Sequence, residues 1–398
     1  MDGSLPKGCV AFSNPYQTLD DLFSFSDISE TMNYDAAKLR NFDPSSLCGL
    51  NDFPQNKNAE SENVQPVFHA RLYLAQTGYF LCIRVHHSTT DITGLGILLR
   101  IWASHCKMAR SGAVVRMKSL NRRAPFWEAN KKASIDLPAL LHYKIPGVQE
   151  NVSGTDIVTS IFTFSNQELS ILKAEVTRGT SSTNGTGWVS KGDILTAILW
   201  SSVVSTELSY PDSPIATSKA TEGKIHSIRI PVNLRRHYAP HLAMEFMGAA
   251  FGVSSATADE TDLLDIALCE DNELFLPALA RVSGAIREAI SNVNAQSMDD
   301  VIQFLAAQSD ITNLKFGPGD ANISIVSWAD QDVYGLDWGP EIGLCDAVRL
   351  PRLQKKRYPI VLPRLLNCNL EVLVSFEKHF MDRFKLTKVM KSIGANFV

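Results

Sequence analysis

Two apolar, β-prone runs, 66–75 (PVFHARLYLA) and 79–85 (YFLCIRV), flank Gln76-Thr77-Gly78, a spacing that predicts a β-hairpin. The second run leads straight into His86. Beyond Asp91, the stretch 95–110 (LGILLRIWASHCKMAR) places Leu95, Leu98, Leu99, Trp102 and Ala103 at helical spacing. The intervening His86-His87-Ser88-Thr89-Thr90-Asp91 therefore falls in a strand-to-helix connection, where side chains project into a cleft. Upstream of the hairpin, Pro6, Pro15, Pro44 and Pro54 and the polar stretch 55–63 read as irregular chain, with regular structure expected only afterwards.

In the second half the pattern predicts a strand at 155–164, a helix at 166–176, a flexible loop at 178–187 and a core helix at 190–208. That helix has Asp193 near its N-terminus and Ile194, Ala197, Ile198 and Val204 as its buried stripe. IHSIRIPVNLRR at 225–236 begins as a strand, with Pro231 demoting its far end. Helices at 262–270 and 273–292, strands at 323–329 and 370–376, and an amphipathic helix at 377–393 complete the series. The stretch 111–155, with Pro125, Pro138, Pro146 and Gly147, reads as a crossover between two domains, 1–150 and 151–398. Strands and helices without regular alternation imply an α/β fold with mixed sheets, and no glycine-rich nucleotide loop is present.

Composition narrows the function classes. A chain of 398 residues, 45% apolar and 20% charged, is globular and long enough for two cores. Its formal charge of -4 argues against a nucleic acid partner, because the dense basic clusters, Arg235-Arg236 and Lys355-Lys356-Arg357, are short. Cysteines at 9, 48, 82, 106, 269, 345 and 368 form no CxxC pair and read as reduced thiols. The start, Met1-Asp2-Gly3-Ser4-Leu5-Pro6-Lys7, lacks the features of a signal peptide, and no run approaches the roughly 18–20 apolar residues of a membrane span. A cytoplasmic protein without a membrane partner is expected, and the sequons at Asn151, Asn184 and Asn322 are then without consequence.

Two segments are candidates for chemistry. A histidine leaving a strand into a turn exchanges protons at neutral pH, which suits a general base. The alternative for His86-His87 is that one ring is buried and satisfied while the other faces solvent. A zinc site needs further ligands, and the other histidines form no second cluster, so no metal is expected. The second segment is Ser327-Trp328 followed by Tyr334-Gly335-Leu336-Asp337-Trp338-Gly339-Pro340-Glu341-Ile342-Gly343. Its glycines and proline mark a tight loop, which by itself is a structural turn. A kinase reading of Asp337-Trp338-Gly339 fails for want of a phosphate loop and a His-Arg-Asp segment.

Together, HHSTTD and, about 240 residues later, YGLDWG resemble the HxxxD motif and DFGWG-like loop of the BAHD acyltransferases, in their fungal branch. KGDILTAILWSSV (191–203), PVNLRRHYAPHLAMEFMGAAF (231–251) and LEVLVSFEKHFMDRF (370–384) resemble the family's core helix, its arginine-containing strand and loop, and its closing strand and helix. The order holds from about residue 8 to the C-terminus. The resemblance implies two chloramphenicol-acetyltransferase-like domains with a channel between them. His87 would stand at its middle, taking a proton from a hydroxyl or amine of a small specialised metabolite that then attacks an acyl-CoA thioester, without an acyl-enzyme. Asp91 would pair with an arginine, Arg235 or alternatively Arg236, and hold the His87 loop. Asp337, Trp338 and Gly339 would shape the channel from a distance, and His86 would pack or orient. Acyl-CoA is implied as co-substrate, with no permanently bound cofactor.

The chain departs from the family in several places. Ile92 follows Asp91 where many members have glycine, with Gly94 the candidate to take over the turn. Trp338 replaces phenylalanine, Pro340-Glu341 replaces the Trp-Gly ending, and the family's asparagine is missing from Phe246-Met247-Gly248-Ala249-Ala250. The family's opening strand and helix are not found before residue 8. A monomer is expected, with self-association favoured by any sheet edge thus exposed. The competing functions are a cyclisation or isomerisation that uses His87 without CoA, and a non-enzymatic binding shell, against which an intact His87 and Asp91 count.

Overall fold

A computed structural model of the protein describes residues 22–51, 67–109, 157–180, 188–210, 224–237, 244–268, 272–297, 299, 323–350, 357–393 and 396–397. The crossover at 111–155, the domain boundary placed in it, most of the 178–187 loop, the three sequons, and Cys9 and Cys269 lie outside these residues.

The N-terminal segment is more ordered than its prolines suggest. Strand β1 (Phe23–Asp27), helix α1 (Tyr34–Leu39) and a 3-10 turn (Pro44–Asn51) precede the hairpin of β2 (Phe68–Ala75) and β3 (Gly78–Val85). β1 pairs in parallel with β2, giving a three-stranded sheet in the order β1-β2-β3. A local reading misses such a strand because its partner lies some forty residues away, although the Phe-Ser-Phe-Ser alternation and the cap Asn33, whose side chain accepts from Ala36 N, were legible signals. The hairpin turn has two residues, Gln76 and Thr77, since Ala75 pairs with Gly78; Thr77 itself takes the positive φ of 73°. Gly78 belongs to the strand, where an added Cβ would come within 2.4 Å of the Tyr34 ring.

Helix α2 (Ile92–Met108) runs from the hairpin's end. The remaining strands build two further sheets. One has the order β11-β4-β10-β9-β8, from β4 (Ile157–Phe164), β8 (Val326–Ser327), β9 (Ile360–Val361), β10 (Leu370–Glu377) and β11 (Asn396–Phe397). The other has the order β6-β5-β7, from β5 (Ile225–Asn233), β6 (Phe251–Asp259) and β7 (Ile323–Ser324). The strand expected at 323–329 is thus two. Ile323 pairs with β5 and Val326 with β9, while Ile325 N–H donates to Arg229 O, so this short run joins the two sheets.

Pro231 does not end β5, which pairs with β6 as far as Asn233. Leu234 N–H donates to Ala250 O, so alternation points the even-numbered N–H groups of β5 at β6 and turns position 231 away. On that far side, among the described residues, β7 pairs with Ile228 and Arg229 alone, so no ladder bond there is lost at the proline.

Helices α3 (Asn166–Thr180), α4 (Lys191–Leu208), α5 (Glu260–Leu268) and α6 (Asn272–Ser291) pack on these sheets. α4 is buried on nearly every side from Asp193 to Glu207, not along one stripe, because α3, α5, α6 and the C-terminal helices surround it. Its start is locked by a capping box between Ser190 and Asp193, and Arg287 of α6 grips the Asp193 carboxylate at 2.7 and 2.8 Å. The amphipathic segment after β10 is broken into α7 (Lys378–Leu386) and α8 (Lys388–Ser392), because Thr387 is extended at ψ 142°.

The N-terminal segment docks on the chain after residue 345. Asp346 accepts from Tyr34 Oη and Lys38 Nζ at 3.0 and 2.7 Å, which holds its carboxyl below the usual range, the lysine contributing most. Arg349, almost wholly buried, pairs with Glu371 of β10 at 2.7 and 3.1 Å and donates to the carbonyl of Asn41. Replacing one member strands a desolvated charge. Arg349→Ala is expected to lower the unfolding free energy by about 3–5 kcal/mol in urea denaturation; a loss below about 1 kcal/mol, the scale of surface pairs, would reduce the pair to a bystander.

Candidate active site

His86 N–H donates to Val67 O, extending the β2–β3 ladder by one rung, and Thr89 N–H then donates to His86 O at 3.0 Å. His87 and Ser88 are the two exposed central residues of the resulting turn. His86 is committed to the turn itself: its Nδ1 accepts from Ser88 N–H at 3.3 Å and lies 2.6 Å from Ser88 Oγ. His87 is differently placed. Among the described residues neither of its ring nitrogens has a hydrogen-bond partner, and its ring packs edge-to-face on Phe251, centroids 5.4 Å apart.

Behind this turn lies a buried charge pair. Asp91 is the N-cap of α2, in extended conformation, and its Oδ1 accepts from Gly94 N at 2.9 Å. The same carboxylate takes a two-pronged bond from Arg235, Nη1 to Oδ2 at 2.8 Å and Nη2 to Oδ1 at 3.0 Å, and Ala250 N–H fills the fourth position at 2.8 Å. Arg235 is 0% exposed and all five of its guanidinium N–H groups are used. Besides the two to Asp91, Nε goes to Phe246 O, Nη2 to Gly248 O and Nη1 to Asn233 Oδ1, at 2.9, 2.7 and 3.2 Å. Arg236 is exposed and takes no part in the pair.

The space around the pair is tight. A Cβ on Gly94 would lie 2.1 Å from both Met247 O and Thr90 Oγ1, so this glycine is needed for close approach of α2 to the 246–250 loop, not for a turn. Thr90 Oγ1 donates to Met247 O at 2.6 Å. Asn233 carries no local signal that marks it as part of the site. Its Oδ1 accepts from Arg235 N and its Nδ2 donates to Thr93 Oγ1 at 3.1 Å, tying the end of β5 to the first turn of α2. Phe251 was equally unmarked, as its neighbourhood with His87 comes from strand pairing.

Asp337, Trp338 and Gly339 act on the opposite end of α2. Trp338 is buried against Trp102 (centroids 5.7 Å), Ala103 and Leu336, and Asp337 pairs with Lys107 at 2.7 Å while accepting from Gly339 N. The Lys107 hydrogen bond holds the exposed Asp337 carboxyl below the usual range. Gly339 has φ +95°, and a Cβ added there would lie 3.3 Å from Lys107 Cα, so only glycine fits without strain. α2 has 17 residues, roughly 25 Å at about 1.5 Å each, which sets this loop far from the His87 turn. Trp102 also meets Phe23 and Phe68, so one indole joins the first sheet, α2 and the loop.

This architecture is known. The F. graminearum TRI101 structure described as complexed with Coenzyme A and Deoxynivalenol superimposes with a TM-score of 0.75 at 16% identity, over 94% of this chain and 82% of that one. The fold is mixed α/β, that of acyltransferases built from two chloramphenicol-acetyltransferase-like domains. The family model described as Transferase family matches residues 34–386, and the chain belongs to that family, the family of the BAHD acyltransferases. It is 25% identical over 366 residues to the O-acetyltransferase cpsE of Aspergillus campestris, covering 82% of this chain and 70% of that protein. It is 22% identical over 340 residues to the O-acetyltransferase anaAT of Neosartorya fischeri, covering 75% and 66%. The chain thus spans about two thirds of the length of these fungal relatives.

Removing Asp91 should be felt first in stability. Asp91→Ala is expected to cost about 3–5 kcal/mol by leaving the Arg235 guanidinium buried without its counter-charge. Asp91→Asn, which still caps α2 but also lacks the charge, should recover only about 1 kcal/mol of that loss. Urea denaturation of both variants checks the two magnitudes and their order.

Proposed function

We propose that the protein transfers an acyl group from acyl-CoA to a hydroxyl or amine of a small specialised metabolite, with His87 as general base. The observation that carries this reading is the exposed His87 imidazole, whose ring nitrogens have no hydrogen-bond partner among the described residues, on a turn whose rear is fixed by the saturated Asp91–Arg235 pair. The names of the O-acetyltransferase relatives and the coenzyme A and deoxynivalenol bound together in the TRI101 neighbour agree with it.

In this reading His87 takes the proton as the acceptor oxygen or nitrogen forms its bond to the thioester carbonyl carbon. The tetrahedral intermediate collapses with cleavage of the C–S bond, and the coenzyme A thiolate leaves with the proton returned by the imidazolium. No acyl-enzyme is involved. Asp91 is not a proton relay, because its acceptor positions are filled by Gly94, Arg235 and Ala250. Ala250 N–H, in the segment where the family has its asparagine, is committed to Asp91, so the oxyanion takes its donors from elsewhere. Asp337, Trp338 and Gly339 support the channel by fixing the far end of α2. The halves 1–150 and 151–398 form the two walls of that channel in a monomer. A cytosolic setting accords with the free thiols at Cys82, Cys106, Cys345 and Cys368, and no helix among the described residues is long and apolar enough to cross a membrane.

The test is mass spectrometry of an extract of the producing organism incubated with purified protein and acetyl-CoA or longer acyl-CoAs. A product heavier by one acyl group is expected, formed about 10²–10⁴ times more slowly by His87→Ala. Absence of any acylated product from folded wild-type protein would refute acyl transfer. A product of unchanged mass that still depends on His87 would assign the base to a cyclisation or isomerisation instead.

A further inference from the structure

The imidazole of His87 sits on an exposed turn, and the turn's hydrogen bonds fix its backbone but not the orientation of its ring. Histidines that exchange protons often have one ring nitrogen held by a carboxylate or carbonyl. Here the described residues offer no such partner. Asp91, the acid of the motif, is turned away and saturated by Arg235, Gly94 and Ala250. What touches the ring is Phe251, at 5.4 Å between centroids and 67° between planes. This is the edge-to-face geometry that aromatic quadrupoles favour.

Phe251 is placed with unusual definition for a residue 40% exposed. It opens β6 opposite Asn233, and its neighbour Ala250 is held at both ends of its peptide groups: N–H by Asp91 Oδ2 at 2.8 Å, C=O by Leu234 N–H at 3.0 Å. Asp91 therefore anchors both partners of the ring contact. Four residues before it in the chain is His87, and one residue beyond its Ala250 contact is Phe251. The carboxylate sets the separation of the two rings without touching either.

From this we infer that Phe251 is the positioning residue for His87: its ring takes the part that a hydrogen-bonded carboxylate plays elsewhere, fixing the imidazole plane while leaving both nitrogens open. The inference rests on His87 as the base. It explains how a buried Asp91–Arg235 pair governs an exposed ring that it does not contact. Phe251 acts through His87 and has no role in the chemistry of its own.

The experiment combines an activity split with a readout that needs no substrate. In protein labelled with ¹³C at the histidine rings, His87→Ala identifies the His87 ring signal in wild type. Phe251→Leu is expected to move that signal, since a ring current is lost, and Phe251→Tyr to leave it near its original place. In acyl transfer, Phe251→Leu should lower kcat about tenfold, with KM for acetyl-CoA and the thermal midpoint unchanged, and Phe251→Tyr should restore kcat. A His87 signal insensitive to Phe251→Leu, or a kcat loss that Phe251→Tyr shares in full, overturns the inference. Retained activity in His87→Ala would instead overturn His87 as the base, and the ring signal would still decide whether Phe251 orients it.

Discussion

The buried pair of Asp91 and Arg235 is the constraint from which the rest of the site follows. Burying two charges is expensive, and their attraction offsets that expense only when every remaining donor and acceptor is satisfied. Here Asp91 accepts four hydrogen bonds and Arg235 gives five, two of them shared, so the demand for partners dictates the surroundings. The start of α2, the end of β5, the 246–250 loop and the first residues of β6 must all converge on one point. Such a pair adds little net stability compared with an apolar core; it fixes one arrangement against others.

α2 carries that arrangement outward. Its N-terminus is capped by the buried carboxylate, and its last turns are held by Trp338 on Trp102 and Asp337 on Lys107. The two motifs separated by most of the chain are thus the two ends of one helix. Each acts on the other by holding the helix rigid, not by meeting at a shared point. Phe23 and Phe68, also on Trp102, bring the first sheet into the same assembly, while Arg349 and Asp346 bind the N-terminal segment to the C-terminal half.

Several positions that depart from the family's pattern find a structural account. Ile92 in place of glycine is tolerated because the close approach is made two residues further on, at Gly94. Trp338 in place of phenylalanine packs its larger ring into the apolar cluster of Trp102, Leu336 and Ala103. Ala249 and Ala250 in place of asparagine leave the backbone role intact, since the N–H of Ala250 is what Asp91 needs.

The sequence determined the elements whose signals are local. The hairpin, α2, the core helix, most later strands, the HxxxD motif and the candidate arginine could all be placed from apolar spacing, cap residues and motif order. Partner choice could not. β1 depends on a strand some forty residues on, the 323–329 run is divided between two sheets, and Pro231 is harmless only because β7 stops two residues earlier. Tertiary structure alone made Gly94 a contact glycine and set Phe251 against His87. The reason is physical: periodicity reports which face of an element is buried, whereas a desolvated charge or an oriented ring is satisfied by groups far apart in the chain, and only the folded packing decides which ones arrive.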